Sequence, residues 1–264
     1  MCSHRCLGTT GLSGCWKITV TIEGEPGEWN IVRKPDGLKA CESLAKKGTE
    51  RVMLEKAPRW AVDALQGITY WIGHRRCIYP HHPMPEGALV AELCNLICAN
   101  LRTKEHLQLK CEVQYSEILK SKKLPAKLMN GRADLVVEEK ENKNTGSPTP
   151  KFIIEVKRAK SLRKINEDLQ RLAAVRHAHG SVRAFLFVIG EAKRPKWFVD
   201  DDGNALSDER PIPNPEHSIP IPESRFRVRR VLKAAHSFSS VGTAHYACLI
   251  EVLPHSRRKF RITR

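Results

Sequence analysis

The pattern of hydrophobic and polar positions is clearest in the middle of the chain. From Glu86 onward, apolar residues recur every three or four positions, which predicts an amphipathic helix with an acidic residue in its first turn. The buried stripe of this helix consists of Leu89, Leu93, Leu96 and Ile97. Alternation in LQLKCEVQYSEIL then predicts a strand over 107–119, and GRADLVVEE predicts a second strand over 131–139.

A third strand and a second helix follow the polar segment EKENKNTGSPTP, which predicts an exposed loop. KFIIEVKRA is the third strand, and SLRKINEDLQRLAAVRHAHG is a helix with Ser161 as its N-cap and Gly180 after its end. AFLFVIG is continuously apolar, as expected of a strand that is buried on both faces. Residues 86–190 therefore read α-β-β-β-α-β.

Residues 1–85 form an N-terminal elaboration of this core. WKITVTIEG and EWNIVRK predict a hairpin, DGLKACESLAKK predicts a helix, and Pro58 opens another helix through APRWAVDALQG. The next stretch, TYWIGHRRCIYPHHPMP, is rich in aromatic residues, His and Arg. It is either a segment that contacts a substrate or a connection in which Trp60 and Trp71 pack on the core.

Residues 191–264 form a C-terminal elaboration. A Pro- and Asp-rich stretch after Glu191 predicts a long surface excursion with little regular structure. RFRVRRVLKAA and HYACLIEVL predict two strands, and the chain ends in the basic tail SRRKFRITR.

The charge balance indicates the kind of partner. The 264 residues include 45 Lys and Arg against 29 Asp and Glu, which gives a formal charge of +16 and a pI near 9.6. Such a surface favours a polyanion, either nucleic acid or an acidic membrane. No apolar run reaches the ~18 residues of a membrane span, and the N-terminus lacks the apolar region of a secretory signal. We therefore expect a protein that is not embedded in a membrane and is located in the cytoplasm.

The nine cysteines agree with a reducing compartment. Cys94, Cys98, Cys111 and Cys248 lie in apolar periodic segments, where a reduced thiol acts as a small hydrophobic group. Cys2, Cys6 and Cys15 could bind zinc together with His4, but no CxxC pair occurs among them, and this question stays open.

The candidate chemistry lies on the second and third strands of the core. Side chains alternate along a strand, so Glu155 and Lys157 share one face of KFIIEVKRA. The same period separates Asp134 from the apolar face of GRADLVV. If helices cover the apolar faces of both strands, Asp134 emerges beside Glu155 and Lys157. Two carboxylates near an amine suit Mg²⁺ or Mn²⁺, which binds one or two carboxylates, waters and a substrate phosphate.

These segments resemble the PD-(D/E)XK, or restriction-endonuclease-like, nuclease superfamily over residues 86–190, although Ala133 stands where proline is common before the first acid. The resemblance implies an α/β fold with a central mixed sheet flanked by helices. It implies that Asp134, Glu155 and Lys157 are catalytic, with Asp134 and Glu155 as metal ligands. Glu92 resembles the helical acid that often completes the metal shell, and Gln170 resembles a glutamine that some branches carry on the following helix.

Other interpretations remain for the same residues. Glu155 and Lys157 could form an ordinary salt-bridged pair at a strand edge, Asp134 could belong to a turn, and Glu92 could lie on a solvated helix face. Gln170 could be a packing residue.

Basic residues next to the predicted site offer a path for a phosphate backbone, and a second group lies near the C-terminus. The nucleic-acid-binding candidates are Arg158, Lys160, Arg163 and Lys164 in the first group and Arg227, Arg229 and Arg230 in the second. The alternative for both groups is a solvated surface without a specific role.

The function that we expect is metal-dependent endonucleolytic hydrolysis of DNA, of a restriction, defence or repair type. A ribonuclease would use the same site. A catalytically silent nucleic-acid-binding or scaffold protein could keep the same core. A homodimer is compatible with double-strand cleavage.

Overall fold

The computed structural model describes residues 15–22, 25–32, 56–79, 81–101, 106–119, 131–140, 148–213, 223–234 and 244–254. For the first two ranges and for Cys77, the backbone alone is described. The chain divides into two compact units, residues 1–55 and 56–264. In the first unit, β1 (Cys15–Ile22) pairs with β2 (Glu25–Val32) in antiparallel register, which confirms the predicted hairpin. The helix predicted from DGLKACESLAKK lies outside the described residues, as do Cys2, His4, Cys6 and the basic tail.

The second unit contains helices and a seven-stranded sheet in its described part. In chain order, its elements are α1 (Arg59–Ile78), α2 (Glu86–Leu101), β3 (Leu107–Gln114), α3 (Tyr115–Leu119), β4 (Arg132–Glu139), β5 (Thr149–Arg158), α4 (Leu162–Ala178), β6 (Arg183–Gly190), β7 (Arg210–Pro211), β8 (Arg225–Lys233) and β9 (Tyr246–Val252).

The sheet is mixed, with the order β3-β4-β5-β6-β9-β8-β7. Only β5 and β6 are parallel among the described pairs, because α4 carries the chain from the end of β5 back to the start of β6. The other pairs are antiparallel. The predicted mixed α/β class with a central sheet flanked by helices is confirmed.

Two apolar layers cover the two faces of the sheet. On one face, α4 packs on β5 through side chains such as Ile165 and Ile153. On the other face, α1 and α2 pack on Ile154 and Val156 of the same strand. Alternation along β5 thus sends Glu155 and Lys157 towards the α4 side. The N-cap of α4 is Ser161, as predicted, and its hydroxyl accepts the N–H of Lys164 at 3.5 Å.

Two predicted boundaries were wrong. The strand predicted over 107–119 ends at Gln114, and the following residues form α3. Tyr115, Ile118 and Leu119 are all buried, and their spacing places them on one face of a helical turn. The stretch TYWIGHRRCI is the second half of α1, where Ile68 and Ile72 are buried.

The C-terminal excursion is a series of turns in residues 191–213, with the two-residue strand β7 near its end. Residues 214–222 lie outside the described part. The predicted pair of C-terminal strands is confirmed as β8 and β9, which are antiparallel neighbours. Since α1 packs on β8 and β9 and α2 packs on α1, these elements belong to the same compact unit as residues 86–190.

The thiols differ in their burial. Cys248 is fully buried, as expected, but Cys94 is half-buried and both Cys98 and Cys111 are exposed. The prediction that all four act as buried hydrophobic groups was therefore wrong for Cys98 and Cys111. Among the described helices, none combines the length and apolar character needed to cross a membrane.

Candidate active site

Asp134 and Glu155 face each other across the β4–β5 pair. The antiparallel register pairs Leu135 with Ile154, and one further step along it brings Asp134 opposite Glu155. Their carboxyl groups are hydrogen-bonded to each other, and Oδ2 of Asp134 also accepts the backbone N–H of Val156 at 2.7 Å. Two acids that are far apart in the sequence therefore form one carboxyl pair.

Glu155 is the more deeply buried member of this pair, with 2% of its surface exposed. Burial raises the pKa of Glu155 to about 8, and the neighbouring charge of Asp134 adds to this shift. The Tyr115 hydroxyl donates a hydrogen bond to Oε1 of Glu155, which acts in the opposite direction, as does the charge of Arg171. At neutral pH, Glu155 is therefore protonated and donates its proton towards Asp134.

Asp134 is half-buried, and desolvation also raises its pKa above the ordinary value. The hydrogen bonds from Val156 and Glu155 and the charge of Lys157 lower the pKa and offset part of this effect. Asp134 is accordingly the member of the pair that carries the negative charge more readily.

Lys157 lies two residues beyond Glu155, on the same face of β5. Its Nζ is 2.7 Å from Oε1 of Glu86, at the start of α2, and 3.2 Å from Oδ2 of Asp168 on α4. The Lys157 side chain is 15% exposed, so the ammonium is partly reachable from solvent. Asp168 is 1% exposed and also forms an ion pair with Arg171, one helical turn later.

The structure thus brings Asp134, Glu155 and Lys157 together and adds four residues that the sequence analysis did not single out: Glu86, Tyr115, Asp168 and Arg171. The position of Asp168 could have been recognised in the sequence, because it lies beside Leu169 on the apolar face of α4. A charged residue at an apolar position of a helix indicates a buried partner. Nothing in the sequence indicated the role of Tyr115, because its segment was predicted to be a strand.

Glu92 and Gln170 lie apart from this cluster. Glu92 is half-buried on α2, about 9 Å along the helix axis from Glu86 and turned by about 120° around it. It forms no hydrogen bond or ion pair within the described part of the chain. Gln170 is buried and donates a hydrogen bond from Nε2 to the carbonyl oxygen of Pro213 at 2.6 Å.

The carboxyl pair offers a ligand set for a hard divalent cation. Mg²⁺ is commonly held by one or two carboxylates, with water and substrate oxygens in its remaining positions. A cation at Asp134 and Glu155 would take the place of the proton that the two acids share, so these donors fit Mg²⁺ or Mn²⁺. Within the described ranges, no group of three His, Cys, Asp or Glu side chains is arranged to hold a metal ion.

The first group of basic residues lies at the exit of β5 and the start of α4. Lys160, Arg163 and Lys164 are exposed, and Arg163 is within 3.7 Å of Glu167 on the same helix. Arg158 is largely enclosed: its backbone N–H contacts Glu86, and its guanidinium lies 3.7 Å from Glu191. Lys160 and Lys164 are therefore the most accessible cations of this group.

The second group lies on β8, three strands from β5 and hence about 14 Å away across the sheet. Arg229 is 10% exposed and donates to Glu251 at 2.6 Å, and Glu251 also binds Arg183. Arg227 donates to Glu209 at 3.0 Å, whereas Arg230 is exposed. Arg229 thus serves a buried ion-pair network, and Arg230 faces solvent.

The second half of α1 and its C-cap residue, Tyr79, leave large side chains in solvent. Tyr70 is 71% exposed and stacks on His74, and Tyr79 is 51% exposed beneath the guanidinium of Arg75. The predicted substrate contact of this segment remains a prediction. Its exposed aromatic and basic side chains are of the kind that stack on bases.

Comparisons with protein-family models, with curated proteins and with solved structures gave no match to this chain.

Proposed function

We propose that this protein is a Mg²⁺- or Mn²⁺-dependent endonuclease that hydrolyses DNA phosphodiester bonds. The observation that carries the proposal is the carboxyl pair of Asp134 and Glu155, which lies beside Lys157 on adjacent strands. The pair combines one buried and one half-buried acid, raised pKa values and a nearby cation, which together are typical of a site built for chemistry rather than for stability.

The proposal assigns cation binding to Asp134 and Glu155 and a separate role to Lys157. Asp134 and Glu155 would hold the cation, which when bound would activate water and stabilise charge on the scissile phosphate. The Val156 N–H orients the Asp134 carboxylate, and the Tyr115 hydroxyl orients that of Glu155. Lys157 presents its ammonium to the phosphate or the attacking water, and Glu86 and Asp168 hold it in place.

The fold supports the same proposal in its finer form, a restriction-endonuclease-like core. In the order β3-β4-β5-β6, an antiparallel meander is followed by a parallel crossover through α4. The helix α2 precedes the meander and packs on the opposite face from α4. This arrangement agrees with the α-β-β-β-α-β order that the superfamily resemblance implies.

DNA is the proposed substrate because the chain carries a charge of +16 and exposed cations lie between the end of β5 and the first turn of α4. Lys160 follows the end of β5 and Lys164 lies in the first turn of α4, and in this proposal both contact the phosphate backbone that approaches Lys157. A restriction, defence or repair role and a homodimer remain part of the proposal. RNA would satisfy the same cations, so the experiment includes it.

A second candidate is a nucleic-acid-binding protein without catalysis. The burial of Glu155 favours this second candidate. Its carboxyl group is 2% exposed and accepts a hydrogen bond from the Tyr115 hydroxyl, which leaves little access for a cation. Cation binding would require Glu155 to lose the proton that it carries at neutral pH.

The test is an incubation of the full chain with supercoiled plasmid, linear duplex, single-stranded DNA and RNA, with Mg²⁺, with Mn²⁺ and with a chelator. The proposal expects cation-dependent cleavage of DNA. Cleavage of RNA alone would indicate the ribonuclease. Binding to any of these substrates without products under all conditions would establish the silent protein and contradict the proposal.

A further inference from the structure

Three thiols lie together where α2 packs against the edge strand β3. Sγ of Cys94 is 3.3 Å from Sγ of Cys111, although 17 residues separate them in the sequence. Cys98 lies one turn further along α2 and forms a side-chain hydrogen bond with Cys94. Cys98 and Cys111 are exposed, so reagents in solution reach two of the three thiols.

We propose that Cys94 and Cys111 are a redox modification site in which a peroxide oxidises the two thiols to a disulfide. The site is separate from the proposed nuclease chemistry and does not depend on it.

The geometry needs little adjustment to form this bond. A disulfide joins its sulfur atoms at about 2.05 Å, so the two Sγ atoms must approach by roughly 1.3 Å from their present 3.3 Å. Rotation about χ1 of the half-buried Cys94 and the exposed Cys111 is the movement that would bring the two sulfur atoms together. The contact joins two different elements, which orients the two thiols towards each other across the helix–strand interface.

The reaction runs in two balanced steps. The exposed Cys111 thiolate attacks one oxygen of hydrogen peroxide, which breaks the O–O bond and gives a sulfenic acid and hydroxide. The Cys94 sulfur then attacks the Cys111 sulfur, forms the S–S bond and displaces hydroxide, which takes up the thiol proton as water. The two cysteines lose two electrons and the peroxide gains them.

The order of the two thiols follows from their surroundings. Burial raises the pKa of the Cys94 thiol, with a smaller contribution from Cys111, which disfavours its thiolate. The exposed Cys111 is therefore the expected first target, and Cys94 the thiol that resolves the sulfenic acid.

The cross-link would fasten the edge of the sheet to α2. Cys111 pairs with Leu135, which is the neighbour of Asp134, and the bond would close a loop that includes residues 102–105. Closing a loop of this length restricts the unfolded chain, so the oxidised protein should have a Tm higher by roughly 5 °C.

The experiment treats the reduced full chain with hydrogen peroxide, alkylates the remaining thiols and maps the digested peptides without reduction by mass spectrometry. The expected result is a Cys94–Cys111 peptide pair that has lost two hydrogen atoms, with a rise in Tm that dithiothreitol reverses. Cys98→Ser is the matched control and should keep both effects. Cys94→Ser and Cys111→Ser should each remove the cross-link and the rise in Tm.

Three results would overturn the proposal. They are a Cys94–Cys98 link in place of the predicted pair, a cross-link of Cys111 to another cysteine of the chain, or oxidation of Cys111 to a sulfinic acid with Cys94 still alkylated. The peptide map of the parent protein decides between these outcomes even if a serine variant fails to fold. Cys248, which is fully buried, should stay reduced throughout and reports on the integrity of the fold.

Discussion

Oδ2 of Asp134 accepts the backbone N–H of Val156 at 2.7 Å, so an acid of β4 is held by the strand that carries Glu155 and Lys157. This bond fixes the position of Asp134 through the backbone, independently of the side chains around it. The remaining freedom of the site lies in the protonation of Glu155 and in the ion pairs of Lys157.

Glu155→Gln should stabilise the metal-free protein. The pKa of Glu155 is about 8 in the folded state, above the ordinary 4.5, so the folded chain holds this proton more tightly than the unfolded chain. Stability from this group is fully present below pH 4.5 and is lost as the pH rises towards 8. Gln imitates the protonated acid and keeps both hydrogen bonds, so at pH 8 the variant should melt higher by roughly 5 °C.

Thermal unfolding at pH 4.5 and at pH 8, in the presence of a chelator, measures this difference. The advantage of Glu155→Gln should be large at pH 8 and nearly absent at pH 4.5. Mg²⁺ should raise the Tm of the parent at pH 8 and leave that of the variant unchanged. Equal melting of parent and variant at both pH values would contradict the assignment of a protonated, buried Glu155.

Tyr115→Phe should move the pH at which the protein binds Mn²⁺ to a higher value. The Tyr115 hydroxyl lowers the pKa of Glu155 by its hydrogen bond, so its loss should raise that pKa further. A proton that is held more tightly competes better with a cation for the same carboxylate. Titration of Mn²⁺ binding between pH 6 and pH 9 should therefore show an alkaline shift relative to the parent, and an unchanged profile would remove Tyr115 from the site.

Lys157→Met should reduce DNA cleavage by about 100-fold or more, because the proposed mechanism uses this ammonium to stabilise charge on the reacting phosphate. Lys151→Met is the matched control: Lys151 lies on the same strand, where it forms an exposed ion pair with Glu139. It should cleave at the parental rate. Equal rates for the two variants, with both folded by circular dichroism, would show that Lys157 is not catalytic.

His245→Asn should flatten the dependence of stability on pH. His245 is buried, and Nδ1 accepts the N–H of Ala192, a non-glycine residue in the left-handed region with φ 53°. Desolvation lowers the pKa of His245, with a smaller effect from Arg76. The unfolded chain therefore takes up the proton first as the pH falls through 6.5, and the folded state loses stability.

Asn offers an oxygen in the place of Nδ1 and carries no titrating proton. The free energy of unfolding of the parent, from urea titrations, should fall between pH 7 and pH 5.5 more steeply than that of the variant. Identical slopes would mean that His245 does not contribute to acid sensitivity.

Much of the fold could be predicted because the local patterns agreed with the tertiary structure. The apolar positions of α4 recur with the helical period, and the continuous apolar run of β6 is typical of a buried strand. Each pattern predicted one type of element, and the order of elements in the core followed from them. Tyr115–Leu119 was predicted wrongly because a five-residue turn of helix is too short for its period to be distinguished from strand alternation. Tertiary burial of Tyr115 decided its conformation.

The candidate site could be predicted in part for a related reason. Strand alternation is local, so the shared face of Glu155 and Lys157 followed from the sequence, and Asp134 followed once both apolar faces were covered. The partners of Lys157 are Glu86 on α2, 71 positions before it, and Asp168 on α4, 11 positions after it. Such distant contacts depend on how the helices pack on the sheet, and no spacing rule predicts them.

The most direct test of the proposed nuclease is supercoiled-plasmid cleavage by Asp134→Asn, compared with Glu139→Gln. Both residues lie on β4, but Glu139 pairs with Lys151 away from Glu155. With Mg²⁺ or Mn²⁺ present, the parent and Glu139→Gln should produce nicked and linear DNA, whereas Asp134→Asn should lose at least about 100-fold in rate while it still binds the plasmid. Cleavage by Asp134→Asn at the parental rate would contradict the assignment of the site.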